Sequence, residues 1–132
     1  MRSFDAVFSR RGRNGQPERI CNPKTGEIDS FVVSAWKRYD ISLYLVNNWD
    51  RLKTSLKGKI RITSGEFDNF LLKQAVHLLD DKMTILKADI VFQYYRADHF
   101  TIFSDEYNET GDKFLADKYR EWLTTTSHSG KP

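Results

Sequence analysis

The sequence predicts the α/β class: a strand–helix–strand unit with parallel strands, flanked by helices and preceded by a long irregular N-terminal arm. Three observations carry that expectation. Lys59-Ile60-Arg61-Ile62-Thr63 and Ile90-Val91-Phe92-Gln93-Tyr94 are short runs rich in β-branched and aromatic residues, the signature of strands. Between them Leu71, Leu72, Ala75, Val76, Leu78 and Leu79 recur at helical spacing and make one broad apolar face. Two strands joined through a single helix belong side by side and parallel, with a right-handed crossover.

Taken along the chain, residues 1–27 form the arm, rich in Gly, Pro, Asn and Arg. Arg13-Asn14-Gly15 and Asn22-Pro23-Lys24-Thr25-Gly26 are its turn signals, and only Phe4, Val7, Phe8 and Ile20 offer it apolar anchors. Residues 28–57 read as helical. Asp29 is placed to cap a helix carrying Phe31, Val32, Ala35, Trp36 and Tyr39 on one face. A second short helix begins near Asp40, and Asp50 caps a third turn that Gly58 stops. The aromatic stripe Trp36, Tyr39, Tyr44 and Trp49 could line a substrate entrance, but is expected to pack in the core.

Residues 58–124 make the regular unit: strand 59–64, loop 65–69, helix 70–82, strand 89–95, loop 96–109 and helix 110–124. The last helix carries Phe114, Leu115, Tyr119, Trp122 and Leu123. The polar stretch from Thr124 to Pro132 is expected to be a frayed tail. All-parallel sheets normally have several strands with both faces covered, and a two-stranded one leaves backbone groups unpaired along its edge. The expectation is therefore a single incomplete domain of 132 residues.

Composition narrows the function classes. Lys and Arg total 21 against 18 acidic residues, a net charge of +3, and the two signs are intermingled. The densest basic run, Arg10-Arg11-Gly12-Arg13, is too short for the clustered stripe of a nucleic-acid binder. Cys21 stands alone, which excludes an internal disulfide and a cysteine-based zinc site. It lies in a turn-rich segment with no local base or helix start to activate its thiol. The start of the chain lacks the apolar region of a signal peptide, and no window reaches the ~20 apolar residues of a membrane span. The expectation is a soluble chain of unspecified compartment, cytoplasmic as it stands, with secretion open to a longer form.

Chemistry concentrates at the two strand ends, where open α/β sheets place their sites. Asp68 follows the first strand in Gly65-Glu66-Phe67-Asp68-Asn69-Phe70, and His99 follows the second in Arg96-Ala97-Asp98-His99. A carboxylate there can hold an imidazole through Nδ1 and favour its protonated form, and a loop histidine titrating near neutrality suits general-base work. Asp68 serves equally well as the cap of the following helix. Glu66 and Asp98 are alternative acids, Asp98 the weaker because it adjoins the base. His77, with Asp80 and Asp81 a turn on, is expected on the solvated face of a helix, since one helix alone does not make a metal site. No nucleophile accompanies the pair. A Gly-x-Ser-x-Gly elbow needs glycines on either side of the serine, and no glycine here has Ser or Cys two positions later. No glycine-rich phosphate loop is present, so neither cofactor nor metal is expected.

In these residues the chain resembles the C-terminal part of a bacterial α/β-hydrolase-fold esterase of the enterochelin-esterase-like group. The likeness runs over about residues 4–124. It rests on Phe4-Asp5-Ala6-Val7-Phe8-Ser9, on Asn22-Pro23-Lys24-Thr25-Gly26-Glu27-Ile28-Asp29, and on Trp36-Lys37-Arg38-Tyr39-Asp40-Ile41. It rests most on Leu56-Lys57-Gly58-Lys59-Ile60 through Gly65-Glu66-Phe67-Asp68-Asn69-Phe70, with His99 after the next strand. His99 is followed by Phe100-Thr101-Ile102, where the family often has a glycine. The resemblance implies a partial α/β-hydrolase fold in which Asp68 matches the triad acid and His99 the triad histidine. It also implies carboxylic-ester hydrolysis by a serine that belongs to the missing first half of the fold. The expected chain is inactive alone and meets a small-molecule ester only when completed by an N-terminal half. It is not expected to bind nucleic acid or membrane. The alternative is a small non-catalytic binding module that recruits a protein through its exposed sheet edge.

Overall fold

The computed structural model describes residues 2–129 and divides the chain into two compact units, residues 1–48 and 49–132. The boundary falls within a helix.

The first unit opens with helix α1 (Arg2–Phe8), where an irregular arm was expected. The anchors noted in the sequence explain the difference. Phe4 and Phe8, one helical turn apart, stack at 6.2 Å, and Phe8 meets Trp36 at 5.5 Å and Tyr39 at 5.1 Å. Buried Asp5 accepts the Ile20 amide at 3.2 Å. From there to residue 29 the arm is irregular, folded into two turns closed by antiparallel bridges between Arg11 and Pro17 and between Cys21 and Ile28. Gly15 and Gly26 sit at the turn tips with φ of 76° and 74°, a region open to glycine without a Cβ penalty.

Helix α2 (Ser30–Trp36) starts where Asp29 predicts, with the Asp29 carboxylate accepting the Phe31 and Val32 amides at 2.9 and 3.2 Å. A short 3-10 turn, Lys37–Tyr39, leads to α3 (Ile41–Leu56). The two short pieces expected after Asp40 are one helix. Asp50 is interior to it, pairing with Lys53 at 2.8 Å instead of capping. Gly58, at φ 64°, follows the helix end as expected. Of the aromatic stripe only Trp49 is buried; Tyr39 and Tyr44 are exposed, which corrects the expectation of core packing for those two.

In the second unit β1 (Ile60–Gly65) and β2 (Ile90–Tyr95) form a two-stranded parallel sheet with Ile60 opposite Ile90 and Gly65 opposite Tyr95. Helix α4 (Leu72–Ile85) joins them, and α5 (Asp105–Ser129) follows β2. The molecule is α/β in this general sense. Strand alternation sorts the side chains. Ile62, Phe92 and Tyr94 share the face toward α4, where the Tyr94 ring stacks on His77 at 4.2 Å and its hydroxyl donates to Asp80 at 2.8 Å. Burial, with Asp80 next to it, raises the Tyr94 phenol well above its usual range. Arg61, Gln93 and Tyr95 share the opposite face toward α5, where Arg61 and Tyr95 both bond Thr110. Met83 of α4, 1% exposed, is the most deeply buried large side chain of this unit. Helix α5 begins at Asp105, earlier than expected, because the Ser104 hydroxyl accepts the Tyr107 amide and caps it. It runs to Ser129, through most of the stretch expected to fray; residues 130–132 of that stretch lie outside the described residues.

Candidate acid–base site at the strand ends

The two loops that leave β1 and β2 are fastened to each other before any side chain is considered. The Glu66 amide donates to Tyr95 O at 2.8 Å and the Phe67 amide to Ala97 O at 3.0 Å, extending the ladder past the last strand residues. Gly65 makes this approach possible. A Cβ on it would lie 2.4 Å from Ala97 O, well inside contact distance. The Asp68 amide then bonds Gly65 O at 3.2 Å, closing a tight turn, and Asn69 Oδ1 accepts the His99 amide at 3.4 Å.

This frame places Asp68 and His99 in contact. Asp68 Oδ2 lies 2.9 Å from His99 Nδ1. The other oxygen, Oδ1, accepts the Phe70 amide at 2.8 Å and the Leu72 amide at 3.3 Å. One carboxylate therefore ties down the start of α4 and holds the imidazole. Burial alone would raise the Asp68 carboxyl. The hydrogen bond from His99, the Leu72 and Phe70 amides and the nearby imidazole charge outweigh it, so the carboxyl is held below its ordinary value. An ionised carboxylate only accepts hydrogen bonds, so Nδ1 carries the proton of the pair and the neutral ring keeps its lone pair on Nε2.

The imidazole is more open than its partner: the Asp68 side chain is 6% exposed and that of His99 43%. The Phe70 and Phe100 rings flank the imidazole in T-shaped contacts, with centroids 4.7 and 5.5 Å from its own. Leu71 enters α4 in the left-handed conformation, φ 60°, which costs a non-glycine residue on the order of 1–2 kcal/mol. Non-glycine residues held in such conformations cluster at functional sites.

Neither alternative acid reaches His99. Asp98 turns into its own loop, where Oδ1 accepts the Phe100 and Thr101 amides and the Thr101 hydroxyl at 2.8–2.9 Å. Those bonds lower its carboxyl and stiffen the loop that carries His99. Glu66 faces α4, its carboxylate 3.9 Å from Lys73 and 3.8 Å from His77, while Lys73 also bonds the Glu66 carbonyl. His77 is half exposed on α4, and among the described residues no three His, Cys, Asp or Glu side chains converge as metal ligands. Nor does any serine, threonine or cysteine side chain among them hydrogen-bond to the His99 ring, whose bonded partner is Asp68.

One polar centre was missed in the sequence. Arg61 interrupts the apolar pattern of β1 and bonds Gln93, Tyr95 and Thr110. The signal available was an arginine between two isoleucines, but its partners depend on strand register and on where α5 lies.

Neither a family model, nor a curated protein, nor a solved structure matches this chain.

Proposed function

We propose that Asp68 and His99 are the acid and the general base of a serine-type carboxylic-ester hydrolase whose nucleophile this chain does not supply. On this reading it is the C-terminal part of such an enzyme and is inactive alone. The observation that carries the reading is the Asp68 Oδ2–His99 Nδ1 contact of 2.9 Å across the ends of two parallel strands. In a triad the carboxylate fixes the imidazole tautomer, and Nε2 takes the hydroxyl proton and returns it to the leaving group. Here Asp68 is ionised and buried, and the base is partly open to an approaching group. The attacking oxygen and the oxyanion donors would come from polypeptide outside this sequence. The partial α/β-hydrolase fold belongs to the same proposal.

Two measurements test it. Long-range ¹H–¹⁵N spectra of neutral His99 should show the proton on Nδ1 and a bare Nε2; the opposite tautomer overturns the base assignment. Hydrolysis of p-nitrophenyl acetate by the chain should not exceed background. A rate above background that disappears in His99→Ala means the chain provides its own nucleophile, and the fragment reading fails.

The unpaired sheet edges favour a second reading, a binding module that accepts a partner's strand. Among the described residues β1 and β2 pair only with each other. A specific protein ligand that protects outward-facing β1 or β2 amides from hydrogen exchange, with His99→Ala leaving binding unchanged, would favour this reading over the first.

A further inference from the structure

On the face of the sheet away from α4, we propose an oxyanion-binding site built on Arg61 and Lys59, independent of the Asp68–His99 pair. The argument begins with the bonds Arg61 already makes. Its Nε and Nη2 contact Gln93 Oε1 at 3.3 and 3.0 Å, and Nη2 also lies 2.7 Å from the Tyr95 hydroxyl and 2.9 Å from the Thr110 hydroxyl. Nη2 has two protons and three oxygens around it, so that side of the guanidinium is fully used. Nη1 has no hydrogen-bond partner among the described residues. The Tyr107 ring, 5.6 Å from the guanidinium carbon, steadies the plane.

All of these partners are neutral. Among the described residues neither Arg61 nor Lys59 forms an ion pair. Half-buried cations are ordinarily matched by a carboxylate, and Arg61 is part-buried without one. Its unused nitrogen sits over Gly111, where a Cβ would lie 3.2 Å away. Glycine is a poor choice for a helix interior, and here its missing Cβ lets Nη1 come close against α5. Alongside lies an open cleft of about 380 Å³, lined by Lys59, Arg61, Tyr107, Asn108 and Gly111, with Asp112 as its one acidic wall. A pre-oriented guanidinium half, an ammonium and an amide around one cleft suit an oxyanion carried by a small molecule, either a phosphate or a carboxylate.

The test is an NMR titration of the full chain with sodium phosphate and, separately, sodium acetate, at constant ionic strength. Saturable shifts confined to Arg61 side-chain signals, Lys59, Asn108 and Gly111 are expected, and the tighter of the two anions identifies the source. Lys59→Ala should weaken binding about threefold, the size of one exposed ion pair. Gly111→Ala, which favours the helix, should keep the fold and weaken binding further by crowding Nη1. Shifts that do not saturate with either anion, or equal binding by Gly111→Ala, overturn the proposal. The His99 tautomer serves as an internal reference, since losing this site leaves the acid–base pair intact.

Discussion

At the scale of single residues, Asp68 shows why two sequence readings of one carboxylate need not compete. Its position before a helix announced a cap, and its position after a strand announced an acid for His99; the two oxygens divide those duties. Sequence alone could not separate them, because both need the same residue type at the same place. The consequence for pH follows from the direction of the shift. The folded carboxyl lies below its unfolded value of about 3.9, so the unfolded state binds its proton first. Asp68 therefore contributes stability that is complete above that value and is lost as pH falls through the folded one. Asp68→Asn should remove this contribution, flattening the pH dependence of unfolding on the acid side of that unfolded value. It should also lift the constraint on the His99 tautomer. Urea titrations at several pH values check the first outcome, and imidazole ¹⁵N shifts the second. Arg61 is the contrasting case: the residue was visible, but its three oxygen partners come from β2 and α5, and no local pattern connects residue 61 with residue 110.

Elements were legible where local signals were strong and obscure where packing decided. Asp29 at the start of α2 and Gly58 after α3 sit where capping chemistry places them. Within the single helix α3, Asp50 pairs with Lys53 one turn on, so a residue that often begins helices lies inside one. The start of α4 is the least readable. The start at residue 70 expected for this helix gives way to Leu72, after Leu71 in the left-handed region, because the Asp68 carboxylate holds the Phe70 and Leu72 amides. Two substitutions separate strain from close approach at this junction. Leu71 is 59% exposed, so Leu71→Gly loses little burial and relieves its backbone; stability should be unchanged or higher by up to ~1 kcal/mol. Gly65→Ala must fit a methyl 2.4 Å from the Ala97 carbonyl. It should cost about 2–4 kcal/mol and pull apart the loops carrying Asp68 and His99. Chemical denaturation measures both, and a weakened Asp68–His99 hydrogen bond in Gly65→Ala should appear in the imidazole spectrum.

For the whole molecule, the class was readable because two periodicities alternate along residues 59–124, and the parallel pairing follows from the single helix between the strands. Burial was not readable in the same way. An apolar helix face indicates that something should cover it without saying what, and here much of that surface is open. In the second unit Trp49, Met83 and Tyr95 are the buried large side chains, while Leu72, Leu78 and Ile85 of α4 and Leu115, Tyr119 and Trp122 of α5 are more than half exposed. A core this thin leaves little margin. Removing the Met83 side chain, which is 1% exposed, should cost about 2–5 kcal/mol, comparable to the whole stability of a small unit. Met83→Ala is therefore expected to abolish the cooperative urea transition of the sheet unit, followed through the near-ultraviolet signal of its aromatic residues. Leu78, on the same helix but 61% exposed, provides the comparison: Leu78→Ala should shift stability by no more than about 0.5 kcal/mol. If Leu78→Ala instead costs as much as Met83→Ala, the open face of α4 is covered in solution. The missing core would then belong to a second polypeptide surface, as the hydrolase reading requires.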